Sequence, residues 1–245
     1  MLVLASLGLT VLLAWLYLVP MSVDMYGAMS GPARWMMADW SPRYAALMFL
    51  MWLVMMTGMM LPSAAPTILL YAIVVRKSAG EGKPAIRIHA FALGYLLAWA
   101  GFSVLATALQ WGLSRVALLS PMMVSTSPWL GAGLLFAAGL YQWSTLKLTC
   151  LASCRAPAAF IAEHWRPGVT GGLRMGYRHG LICIGCCWAL MLLLFFGGVM
   201  SLTWIAAITV LVLLEKLAPF GARSARLSGA LLMLAGLSVA ALHLS

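Results

Sequence analysis

GLICIGCCWALMLLLFFGGVM, residues 180–200, carries no charged side chain over a length that, as an α-helix, crosses a hydrocarbon layer of about 30 Å. Three of its residues, Cys183, Cys186 and Cys187, put thiols into five consecutive positions. A membrane-embedded helix has no packing need for sulfur at that spacing. The stretch therefore implies two things together, a bilayer span and a sulfur-bearing face.

The rest of the chain agrees with a span. Of 245 residues, 64% are hydrophobic and 8% charged, with mean hydropathy +1.01, too little charge for the surface of a soluble domain. Seven apolar runs are legible, over residues 2–19, 45–75, 86–109, 129–148, 181–199, 202–214 and 227–244. No strand-type alternation accompanies them, so the expected fold is all-α, a polytopic helical membrane protein of about seven transmembrane helices in a single domain spanning 1–245. The first run lacks a basic leader and has no small-residue cleavage site before Pro20, which reads as a retained helix.

The net charge of +10 belongs to the loops and does not point to nucleic acid. Counting Arg87 and Lys147 at the ends of their runs, twelve Lys and Arg residues belong to the loops joining runs two and three, four and five, and six and seven, against only Arg34, Arg43 and Arg115 in the alternate loops. By the positive-inside rule this predicts a cytoplasmic N-terminus and an external C-terminus.

All five cysteines lie between residues 150 and 187, on the side this topology makes cytoplasmic and reducing, where structural disulfides are not expected. His179, Cys183, Cys186 and Cys187 follow steps of four, three and four, and Cys150 and Cys154 are four apart, so each set shares a helix face. The two faces can converge on one small volume with thiolate and imidazole ligands. That donor set selects soft ions, Cu(I) first, with Zn(II) and Hg(II) as alternatives.

The second run adds thioethers. Met48, Met51, Met55 and Met59 descend one face at helical steps, with Met56 and Met60 beside them, a path suited to holding Cu(I) weakly and passing it on. The run is 31 residues long, about 46 Å as one helix, and Pro62 and Pro66 near its middle predict a break near Pro62 that would expose backbone carbonyls. Met21, Met25 and Met29 repeat at four-residue spacing and form a candidate external loading patch, although Gly27, Gly31 and Pro32 argue against helix there. Glu215, an acid at the end of the sixth run, is a candidate on the transfer path; an interfacial pair with Lys216 is the plainer reading.

The stretches MMTGMMLPSAAP (55–66), YQWSTLKLTCLASCRAP (141–157), GLICIGCCWALMLLLFFGGVM (180–200) and LLEKLAP (213–219) together resemble a family of bacterial integral membrane proteins known only as predicted metal-binding. Gly58 stands where an alanine is expected, and Thr145 where a proline is; neither is a candidate ligand. The resemblance implies a multi-pass protein of the bacterial inner membrane with a metal site. Partners are then the lipid bilayer, the metal ion, and a metallochaperone or larger membrane complex. No nucleotide-binding glycine loop, matched nucleophile and base, or haem-attachment motif is present, so a non-enzymatic role is favoured. Two other classes stay open: thiol exchange through Cys183 and Cys186, and a structural subunit whose sulfurs only pack.

Overall fold

The computed structural model describes residues 2–26, 40–78, 83–120 and 123–243. In chain order these form α1 (Leu2–Tyr26), α2 (Pro42–Lys77), α3 (Pro84–Arg115), α4 (Pro128–Gln142), α5 (Thr145–Arg155), α6 (Pro157–His164), α7 (Gly168–Leu192), α8 (Leu194–Gly197), α9 (Leu202–Leu217) and α10 (Gly221–Leu242). Among the described residues the fold is helical, apart from one isolated antiparallel bridge between Leu119 and Ser125.

Local chemistry sets the starts. Proline opens α2, α3, α4 and α6, where its missing N–H is no loss. Serine caps three helices: Ser41, Ser127 and Ser144 accept from the backbone N–H of Tyr44, Leu130 and Lys147.

Among the described residues, five helices are long and apolar enough to cross a membrane: Val3–Met25, Pro42–Lys77, Pro84–Arg115, Gly168–Gly197 and Gly221–Leu242. The expected count of seven is therefore not met by length. The run over 129–148 divides at Trp143–Ser144, where the Ser144 cap starts α5 as a separate helix and leaves α4 only 15 residues long. The run over 202–214 becomes α9, 16 residues, also short of the roughly 20 that a perpendicular span needs. On α10, Leu227, Leu231, Leu234 and Leu237 form an outward apolar face 55–64% exposed, unfavourable in water and natural in lipid.

The predicted break in α2 is corrected. The helix runs unbroken through Pro62 and Pro66. Pro62 cannot donate to the Gly58 carbonyl one turn back, but the Trp15 indole of α1 donates to that carbonyl at 3.4 Å and supplies a replacement. The candidate loading methionines are placed in part. α1 continues to Tyr26, and Met21 and Met25 are buried at 7% and 1% exposure, so neither presents sulfur outward. Met29 lies outside the described residues.

α2 forms the centre of the core, packing on α1, α3 and α9. The tightest seam joins α3 to α7. Gly172, Gly176 and Gly180 stand on one face of α7 at four-residue spacing, the small-residue pattern that lets two helix backbones approach. A Cβ on Gly176 would sit 1.8 Å from the Phe91 carbonyl oxygen, and one on Gly94 of α3 would sit 2.0 Å from the Leu173 carbonyl oxygen. This seam leads directly into the turns of α7 that bear the thiols.

Candidate metal centre

Cys183 lies close to the midpoint of the apolar span Gly168–Gly197, one turn beyond Gly180. Because the seam holds α3 so near, the Tyr95 hydroxyl reaches the Cys183 sulfur at 3.1 Å and also donates to the Met60 carbonyl at 3.1 Å. One step round α7, Cys187 contacts the Met60 thioether, sulfur to sulfur at 3.8 Å. Cys186 faces α5 instead, and its sulfur lies 3.9 Å from that of Cys154. Cys186 and Cys187 also donate to the Cys183 carbonyl at 3.1 and 3.0 Å, a bond within one helix that closes no outside link. Cys183, Cys186 and Cys187 are buried, and all five cysteines are free thiols.

Cys150 is half-buried and lies against Gly185, whose missing side chain makes room for it: a Cβ there would be 2.8 Å from the Cys150 sulfur. The Tyr141 hydroxyl donates to the Gly185 carbonyl and fixes the same turn. His179 is buried among rings, with centroids 5.0 Å from Phe160, 5.8 Å from Tyr95 and 6.2 Å from Phe91. Its Nδ1 has no hydrogen-bond partner among the described residues. It therefore shares a helix face with Cys183 while its ring rests in an aromatic pocket.

Met51, Met55, Met56 and Met59 are all fully buried along α2, with Met60 at the thiols. Glu215 does not join them. Its carboxylate binds Lys147 Nζ at 2.5 Å, Gln142 Nε2 at 2.6 Å and Ser228 Oγ at 3.2 Å, a network linking α4, α5, α9 and α10. Arg155 caps the end of the same helix by donating to the carbonyls of Glu215, Ala218 and Pro219.

Lys216 is the residue that the sequence reading missed. It neither pairs with Glu215 nor reaches toward an interface. It is buried, and its ammonium donates to the Cys183 sulfur at 2.8 Å and to Ser63 Oγ of α2 at 3.1 Å. The signal was present: adjacent helical residues point about 100° apart, so the two charges of LLEKLAP cannot face the same interior.

Sulfur thus meets sulfur in pairs, Cys154 with Cys186 and Cys187 with Met60, beside a cation. Among the described residues no three His, Cys, Asp or Glu side chains converge on a point where a metal ion could be held. Pairs of soft sulfur donors of this kind suit thiophilic ions.

Residues 49–239 match a family described as PpoB2, copper chaperone. No curated protein and no solved structure matches the chain.

Proposed function

The chain belongs to the PpoB2 copper chaperone family, and from that premise we propose that it is an inner-membrane protein that binds Cu(I) between Cys154 and Cys186 and passes it to a copper-requiring partner. The observation that carries this reading is the 3.9 Å approach of those two sulfurs across α5 and α7. Two sulfurs each about 2.3 Å from one ion stand about 4.6 Å apart when the unit is linear, so the pair must widen by about 0.7 Å, or hold the ion at an angle of about 116°. The pair comes from two different helices, so holding or releasing the ion needs only a small movement of α5 against α7.

Lys216 fits the charge this requires. A Cu(I) ion between two thiolates carries a net charge of −1, unfavourable in an apolar interior unless a cation faces it. The ammonium in contact with Cys183 supplies that cation. Cys183, Cys187 and Met60 are then neighbouring donors to which the ion can shift, and Cys150 and His179 border the same turns. The buried thioethers Met51, Met55, Met56, Met59 and Met60 form the transfer path along α2. Neutral thioethers hold Cu(I) more weakly than thiolates, so affinity rises toward the cysteines.

The test is Cu(I) competition against a chromogenic chelator on detergent-purified protein. The parent binds tightly, and C154S and C186S each lose that binding. Equal affinity in all three proteins rules the pair out. Zn(II) competing equally well in the parent would replace Cu(I) as the cargo.

A further inference from the structure

The sulfur face of α2 has a second polar stop, far from the thiols. Gln110, near the end of α3, is 1% exposed. Its Nε2 donates to Met48 Sδ at 3.4 Å and to Met123 Sδ at 3.3 Å, while Trp52 Nε1 donates to its Oε1 at 2.7 Å. The indole therefore decides which end of the amide faces the sulfurs. Met48 and Met123 are themselves buried.

Packing alone does not account for this arrangement. Thioether sulfur is a weak acceptor, so a buried amide donor answered by two of them is poorly compensated. Met123 also holds φ at +57°, a left-handed conformation that non-glycine residues seldom adopt and that clusters at ligand sites. The strained turn is closed on itself, with Met123 N–H donating to the Ser120 carbonyl and Ser120 N–H to the Val124 carbonyl, both at 2.8 Å. Val199 N–H donates to the Met123 carbonyl at 3.3 Å and ties the turn to the segment after α8. The result is that two thioethers from separate segments aim at one point. The group now at that point is the positive end of an amide dipole, standing where a soft cation would stand.

We infer that Met48 and Met123 form a second, weaker station for a soft monovalent cation, with Gln110 as the group the ion displaces. This deepens the copper reading above and rests on it: the station is the loading end of the α2 path. Met48 and Met60 are twelve residues apart, about 18 Å along the helix, and Met51, Met55 and Met59 lie between them at steps of three, four and four.

The test uses Ag(I), a soft monovalent probe without redox chemistry, titrated into the detergent-purified full chain with bound ions counted per chain. Four proteins are compared: the parent, M123L, C154S/C186S and their combination. The parent is expected to bind one tight and one weaker ion. M123L loses the weaker ion only, C154S/C186S loses the tight ion only, and the combination loses both. Leucine nearly conserves methionine's volume, and M48L repeats the test outside the strained turn. An undiminished weaker ion in both M123L and M48L overturns the station, whatever the thiol variants do. A tight ion that survives C154S/C186S overturns the thiol reading instead, so the two failures are separable.

Discussion

Glu215 and Lys216 are neighbours on α9 that face opposite kinds of interior. Around Glu215 the carboxylate itself is fully partnered: Lys147 balances its charge, Gln142 and Ser228 donate to its second oxygen, and Arg155 caps the backbone beside it. Around Lys216 the partners are a hydroxyl and a thiol, and the other side of the thiol cluster is sulfur and apolar wall. A carboxylate so partnered fixes helices in place. A cation facing soft, uncharged-looking donors is instead arranged for a charge that arrives with a ligand. The same few residues of sequence thus separate a brace from a binding region.

That contrast is broken most strongly at the brace. K147M strands the Glu215 carboxylate in the interior, and removal of one partner from a buried pair costs about 3–5 kcal/mol. Thermal unfolding in detergent should show a large loss of stability, while Cu(I) affinity per folded molecule stays at the parent value. Next comes the seam: G176A places a methyl group into the Phe91 carbonyl, with an expected cost of about 1–3 kcal/mol and a parting of α3 from α7. Tyr95 would then withdraw from Cys183, read as faster alkylation of the thiols in intact membranes. K216M should reverse the pattern of K147M. Stability changes less, but Cu(I) binding weakens by about tenfold or more, near 1.4 kcal/mol, because the negative two-thiolate complex has lost its facing charge. The smallest effect is expected of G185A, whose new Cβ meets only the Cys150 sulfur. Overpacking at a half-buried site that can give way should lower the melting temperature slightly and leave the Cys154–Cys186 pair able to bind copper, as competition titration would show.

The elements that were legible in advance were those with a period. Helical steps placed His179, Cys183 and Cys187 on one face and the methionines on another, and the length of residues 180–200 announced an apolar helix. Charge was harder to read, because a lysine near the end of an apolar run looks the same whether it lies in a loop or inside the bundle. Lys147, Lys216 and Arg87, counted with the loops, are all buried in helices. Hydropathy also blurred the junction at Trp143–Ser144, where an apolar run continues while the helix does not; the Ser144 cap was the missing clue. The Pro62 break failed for a tertiary reason, since the donor that replaces its N–H comes from Trp15, 43 residues before Gly58. The Gly172, Gly176 and Gly180 spacing was visible as text, but its meaning depends on knowing that α3 is the partner.

The most direct measurement is X-ray absorption at the copper edge of the Cu(I)-loaded protein in detergent, beside the C154S/C186S variant. The account predicts a first shell of two sulfur donors in the parent, lost in the variant. A shell of nitrogen or oxygen donors, or the same two sulfurs in both proteins, would contradict it.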